Sequence, residues 1–444
     1  MSALTIDNIT VRKDAKLAMF QLTMLMIGMS LFVDAVNGFF LSGLGIDPKL
    51  SAMFKLFLLF LVLYQIGCYS LKILAGLFTL ILILLIGPVI TFSSTIDLAG
   101  FFDDFTSCLK IITALIIFIY LALIAEKWPE KLKVYGKRCL NFSFLILVSN
   151  IFLGVLGYGF SSYGGGATDG DDDKSIGIKG FFYAGNELSG IYIVLFACAL
   201  HLAWQKSKFL YAVIALLSMA CGVLIATKAA MVASLILVFA IPLLNERNRL
   251  LNLTWLKVKT VLPLAVVGTI LAFILIPIFE TTGLLDRFMW FYHKKGVIGI
   301  ILSGRDEFII TASELIMRFG NWTDIVFGYS KTGLGLFTKN AMEVDPIDMF
   351  LWHGIAGLIL FLIYCTVFIR VSYLGCLNRQ SLWAPAVLII NISLIAVSFI
   401  AGHIFTSGML APLFGLVNGL AYLDFIKGRE QSLKPLSYQE SAGR

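Results

Sequence analysis

Charge is what this sequence has least of: Lys, Arg, Asp and Glu together make up only 14% of its 444 residues. A soluble globular domain carries about 25%, so an ordinary water-facing surface is excluded. Cysteine chemistry is thin as well. Six of the seven cysteines (Cys68, Cys108, Cys139, Cys198, Cys221, Cys365) lie in or beside apolar runs, Cys376 sits in a short basic loop, and no CxxC pair occurs. That spacing argues against a disulfide framework, a metal centre or any metal cofactor. The opening segment MSALTIDNITVRKDAK lacks the short apolar core and small-residue cleavage site of a signal peptide, so it reads as retained ahead of an anchoring first span. No internal repeat at a fixed period is present, nor an inverted pair of interrupted apolar segments of the kind found in many secondary transporters.

What the chain has instead is hydrophobic residues, 59% of the total, with a mean hydropathy of +0.92. Apolar runs of about 20 residues recur, the length that crosses ~30 Å of hydrocarbon as a helix. The expectation is an all-α polytopic membrane protein of twelve spans, near 17–41, 50–70, 74–93, 105–125, 139–158, 186–204, 208–226, 229–245, 259–279, 349–371, 383–401 and 406–424. Asp34, Lys55 and Lys110 blur the first, second and fourth, and the two lysines are expected to snorkel from the span ends. The formal charge of +7 needs no nucleic acid. Lys and Arg concentrate in alternate loops, including EKWPEKLKVYGKR and NERNRLLNLTWLKVK, which makes that side cytoplasmic by the positive-inside bias.

Residues 1–16 and 425–444 are then cytoplasmic ends, 17–279 hold nine spans, 280–348 form a long outward connection, and 349–424 hold three more spans. A second outward loop covers 159–185 and contains the glycine and aspartate segment SSYGGGATDGDDDK.

Long loops in a compact membrane protein usually carry function. In ILSGRDEFIITASELIMRFGNW, Ser303 reads as an N-cap followed by Asp306, and Phe308, Ile309, Ala312, Leu315, Ile316 and Phe319 recur near the helical period. An amphipathic helix over 304–319 follows, lying on the membrane or capping a cavity, with GNW and FGYSKTGLGLF after it as loop. Arg305 stands at its anion-favouring N-terminus, while Arg318, thirteen residues on, is ~20 Å away along the axis. Arg305 is therefore the preferred phosphate ligand, and the competing reading pairs it with Asp306 or Glu307 on a solvated face.

Four further clusters stand at outward mouths. Asn186 and Glu187 in GFFYAGNELSG face a polar cavity or simply start a helix, with Asn186 as the cap. Lys228 in ATKAAM fills a turn on the side where cations are disfavoured, so it needs Glu187 or an anionic substrate as partner. Glu343, Asp345 and Asp348 precede a span in MEVDPIDMFLWHGIAG, more carboxylates than capping requires, and one of them is a candidate proton acceptor. His403 lies in the outward turn AGHIFTSGML, as a boundary residue or as a member of the site.

The order GFFYAGNELSG, ATKAAM, SGR opening a loop helix, FGYSKTGLG and MEVDPIDMFLWHGIAG resembles the O-antigen ligase-like membrane proteins, which include Wzy-type O-antigen and capsular polysaccharide polymerases. The resemblance covers about residues 178–425, the first half matching only as a hydrophobic scaffold. It implies a GT-C type glycosyltransferase of the bacterial inner membrane that acts outside the membrane on glycans carried by undecaprenyl diphosphate, without a cofactor or metal. It further implies that Lys228 and Arg305 hold the donor diphosphate, with Arg287 and Arg318 as weaker candidates that no motif fixes. Lys228 stands where the family often has arginine, a point charge in place of a bidentate fork. Before the tenth span the family's ligases carry a histidine-asparagine pair, whereas this chain has EVDPIDMFL, closer to the polymerase branch. Glu343 is then the first candidate for the base, followed by Asp345 and Asp348, with His403 keeping the ligase reading open. Polymerases of this kind commonly work with a chain-length-regulating co-polymerase. A third reading, a transporter of lipid-linked glycans, predicts charges in mid-span and similar cavities on both sides, and the polar groups here gather on one side.

Overall fold

The computed structural model describes residues 3–163, 176–245, 284–378 and 380–433, with single positions 255, 262, 266 and 269. In chain order its helices are α1 (Ala3–Leu44), α2 (Leu50–Tyr69), α3 (Leu71–Thr95), α4 (Leu98–Lys127), α5 (Pro129–Val155), α6 (Gly185–Lys206), α7 (Lys208–Ile225) and α8 (Lys228–Asn245). Then come α9 (Leu284–Leu302), α10 (Arg305–Phe319), α11 (Trp322–Phe327), α12 (Lys331–Gly335), α13 (Asp345–Leu377), α14 (Ala384–Ile400) and α15 (Ala411–Leu433). Among the described residues nine helices, α1 to α8 and α13, are long and apolar enough to cross a membrane, and α14 is a shorter apolar helix. The chain is a multi-pass, all-α membrane protein. The span expected at 259–279 lies outside the described residues, as does the basic run before it.

Short polar residues set the turns. Ser70 ends α2 and caps α3, its hydroxyl accepting from Ile73 N at 3.4 Å, and Asp97 caps α4 by accepting from Gly100 N at 3.0 Å. Pro129 opens α5, where its missing N–H is not needed. The helix α6 is enclosed almost throughout and α4 largely so, while α2 and α3 leave apolar faces such as Phe57, Phe60 and Leu82 outward, as a lipid-facing surface requires. Polar pairs link the buried faces. Asn391 and Asn418 exchange amide hydrogen bonds at 2.9 and 3.2 Å, and Gln65 joins Tyr120 to Thr23 at 2.7 and 2.6 Å.

Several local expectations are corrected. Lys55 does not snorkel outward: it turns inward to Asp34 of α1 at 2.5 Å, because a carboxylate buried beside α2 needs a cation more than the lysine needs water. In the loop after α5 the chain forms a hairpin, β1 (Phe160–Tyr163) against β2 (Ile176–Gly180), with residues 164–175 outside the described set. Asn150 of α5 anchors it, donating to Lys179 O at 2.7 Å and accepting from Phe181 N at 2.8 Å. GNW and FGYSKTGLGLF contain α11 and α12, the first opened by a capping box between Asn321 and Asp324.

The helix α13 breaks at Gly354 (φ 60°, ψ −147°), and the chain after α11 fills the break. Tyr329 N donates to Leu351 O at 2.7 Å and Ser330 N to Trp352 O at 3.2 Å, satisfying carbonyls that the interrupted helix leaves open. Only glycine fits at 354, since a Cβ there would collide with Val326 O. Alternating helix directions bring the 226–227 turn, the 303–344 connection and the 401–410 turn to one end of the bundle, together with the hairpin.

Candidate functional site

The approach to the site is a helix start. Ser303 (φ 55°) and Gly304 (φ 86°) both turn left-handed between α9 and α10, and Gly304, not Ser303, is the N-cap. The Ser303 hydroxyl is engaged elsewhere, accepting from Lys228 Nζ of α8 at 2.6 Å. Asp306 and Glu307 of the first turn of α10 bind lysines of α9: Lys294 and Lys295 reach Glu307 at 3.0 and 2.9 Å, and Lys295 also pairs with Asp306. These lysines occupy both acids, so the expected alternative pairing of Arg305 with Asp306 or Glu307 does not occur. The helix itself follows the expected register, with Ala312 and Leu315 buried and Ile310 and Met317 exposed.

Arg305 reaches across to the next loop instead. Its Nη2 meets Glu343 Oε2 at 2.9 Å, its Nη1 donates to Leu302 O at 3.3 Å, and its Nε is buried without a partner among the described residues. Arg305 is 12% exposed and Glu343 25%, so the pair is shielded far more than a surface ion pair. Lys339 closes on the other Glu343 oxygen while its ammonium lies 4.3 Å from the Phe308 ring of α10. Burial pushes the Glu343 carboxyl up, but Lys339, Arg305 and His403 together outweigh it and hold it below its ordinary value of 4.5.

His403 comes from the third turn. Gly402 (φ 60°) packs its backbone on Glu343, where any Cβ would collide with the Glu343 carbonyl oxygen, and this brings His403 close enough to act on the Glu343 charge. The turn is stitched down by residues expected as a candidate base, Asp345, or as facing a cavity, Asn186 and Glu187. Asp345 Oδ2 accepts from Ile404 N and Phe405 N at 2.8 and 3.0 Å, and its Oδ1 accepts from Thr406 Oγ1 at 3.2 Å. Glu187 accepts from Met409 N at 3.1 Å and from Ser407 Oγ, and Asn186 Nδ2 donates to Ala401 O at 3.3 Å. Asp348 Oδ1 accepts from Met342 N at 2.5 Å, one residue before Glu343. The N-cap of α6 is Ala184, so Asn186 is not the cap.

The carboxylates thus divide. Asp345 and Glu187 spend their oxygens on backbone and hydroxyl donors that fix the 401–410 turn, and Asp348 spends one oxygen on the turn before it. Glu343 alone of the four binds only cationic side chains among the hydrogen bonds and ion pairs described. Lys228 does not pair with Glu187, because Glu187 is turned onto residues 407–409 and Lys228 onto Ser303.

Backbone strain marks the same places. Ala226, Ser303, Glu343 and His403 all adopt φ near +60°, a left-handed conformation that costs about 1–2 kcal/mol for a residue with a Cβ. One such residue stands in each of the four segments that meet here, while Lys49, Ile96 and Ser330 also take φ near +60° elsewhere. Arg318 is remote from them: 71% exposed, it faces Glu314 on its own helix at 3.9 Å. The side chain of Arg287 lies outside the described residues. Lys339 and Gly402 were not legible as site residues. Lys339 stands four residues before Glu343, but that spacing gains meaning only once Glu343 is seen to bind Arg305.

With this geometry in hand, comparison with known proteins adds no identification: no protein-family model matches the chain, and no curated protein matches it.

Proposed function

We propose that the protein is a polysaccharide polymerase of the O-antigen or capsule type, a membrane glycosyltransferase with twelve spans and a GT-C type fold, both termini cytoplasmic and the 401–410 end facing the periplasm. The observation that carries this reading is the meeting of Lys228, Arg305 and Lys339 with Glu343 and His403, drawn from four separate stretches of chain to one end of an apolar bundle. Two cations on one carboxylate, with Lys228 bound to Ser303 two residues before Arg305, suit a lipid-linked diphosphate and a hydroxyl nucleophile.

In the proposed reaction the acceptor hydroxyl of one lipid-linked repeat attacks the anomeric carbon of a glycan on undecaprenyl diphosphate. The new C–O glycosidic bond forms as the bond from the anomeric carbon to the diphosphate oxygen breaks, and the hydroxyl proton passes to Glu343. Direct displacement inverts the anomeric centre. Arg305, Lys228 and Lys339 stabilise charge growing on the leaving diphosphate from fixed positions. The amphipathic helix α10, presenting Ala312 and Leu315 inward, shields the centre from water that would hydrolyse the donor. A chain-length-regulating co-polymerase is the expected protein partner.

Purified protein supplied with a lipid-diphosphate-linked repeat as sole substrate should yield a ladder of products; a single unextended species would sink the polymerase reading. The position of His403 beside Glu343 favours a second reading, a ligase moving the same donor onto lipid A core. Gene deletion separates the two. Loss of long chains with one repeat still on the core indicates a polymerase, and loss of every attached repeat indicates a ligase.

A further inference from the structure

We propose that Glu343 is the resting occupant of the donor's diphosphate site, displaced from Arg305 and Lys339 when the diphosphate arrives and only then free to act on the acceptor. This rests on the reading of the cluster as a diphosphate site.

Three observations lead there. Arg305 has its Nη2 on Glu343 but keeps a buried Nε without a partner among the described residues, so its fork is only half used. Glu343 gives Arg305 only Oε2, its Oε1 being held by Lys339, whereas a diphosphate with two non-bridging oxygens on each phosphorus can take Nη2 and Nε together. Second, Lys339 is 44% exposed and held by Glu343 and the face of Phe308, a contact it can leave without burying an unpaired charge. Third, the charges balance. The two cations that Glu343 releases, Arg305 and Lys339, carry two positive charges, and a diphosphate esterified at both ends carries two negative charges.

Displacement also changes what Glu343 is. Paired, it is ionised and a weak base, because Lys339, Arg305 and the facing His403 stabilise its anion. Once Arg305 and Lys339 turn to the diphosphate, burial acts with less opposition and raises its proton affinity, as a general base requires. Its neighbours Asp345 and Asp348 cannot follow, since they hold the turn backbones. The donor therefore binds first and switches on the residue that receives the acceptor's proton.

The test is calorimetric titration of the full-length protein in detergent micelles with inorganic diphosphate, comparing wild type, Glu343→Gln, Glu343→Asp and Arg305→Ala, with thermal unfolding as the folding control. Glu343→Gln removes the competitor and should bind diphosphate about tenfold tighter, a shift of ~1.4 kcal/mol, while transferring sugar more slowly. Glu343→Asp retains the competing charge and should bind like wild type, and Arg305→Ala should bind at least about tenfold more weakly. Wild-type binding with equal or weaker binding by folded Glu343→Gln overturns the displacement and leaves the diphosphate site standing. Absence of binding in both overturns the site reading itself.

Discussion

At the scale of single residues, the site turns on how four acidic side chains are employed. Asp345 and Glu343 are two residues apart in the sequence and do opposite things. Asp345 accepts two backbone N–H groups and a threonine hydroxyl of the 401–410 turn, so its removal strands buried donors. Asp345→Ala should destabilise the protein by about 1–3 kcal/mol per stranded group, seen as a lower unfolding midpoint in detergent; an unchanged midpoint would show that the turn holds without it. Arg305→Ala should abolish chain extension while the protein still inserts and accumulates in the membrane, and normal glycan length in that mutant removes the diphosphate assignment. Glu343 carries a pH signature. Its folded-state pKa lies below the ordinary 4.5, so its ion pairs contribute fully above that value and are lost as pH falls through the lower folded one. Stability should therefore fall under acid more steeply in wild type than in Glu343→Gln; parallel curves would show that these pairs carry no stability.

Elements act through their ends and interruptions. Turns between spans were legible as polar stretches between apolar runs, but not their caps: α4 and α5 begin at Leu98 and Pro129 inside stretches read as loop, and the caps expected at Ser303 and Asn186 fall at Gly304 and Ala184. The break in α13 was not legible either. Gly354 lies inside the span expected over 349–371, and only the arrival of Tyr329 and Ser330 at the open carbonyls of Leu351 and Trp352 makes the interruption tolerable. Gly354→Ala forces a Cβ onto Val326 O in a backbone conformation that side chains disfavour. It should lower stability by several times the ~1 kcal/mol typical of a helix glycine and detach the segment that leads into Lys339, read as increased proteolysis between α11 and α13. Wild-type resistance to protease would show that the helix can straighten. The helix α10 was legible in type and extent from its periodicity, but its first-turn partners were not, since Lys294 and Lys295 belong to a different helix.

For the whole molecule, hydrophobic length and alternation produce a bundle whose charged turns gather at two ends, and only one end carries the strained turns with Lys228, Arg305, Glu343 and His403. The basic loops at the opposite end predict its orientation. A fluorescent protein fused at the C-terminus should fluoresce and alkaline phosphatase fused after Gly180 should be active, each reporting its own compartment. The reverse pattern would turn the site toward the cytoplasm and away from any outward glycan assembly.

The sequence by itself determined the membrane class, the rough positions of the apolar helices that the structure describes, the helix over 304–319 and the separation of Arg305 from Arg318 along it. These follow from composition, periodicity and rise per residue, which are local properties of the chain. Only the tertiary structure decided which carboxylate binds Arg305 and Lys339, where Lys228 points and that α13 is broken. Arg305 meets a partner 38 residues away and Lys228 one 75 residues away, and a side chain's role is set by the group it meets, which spacing along the chain does not specify.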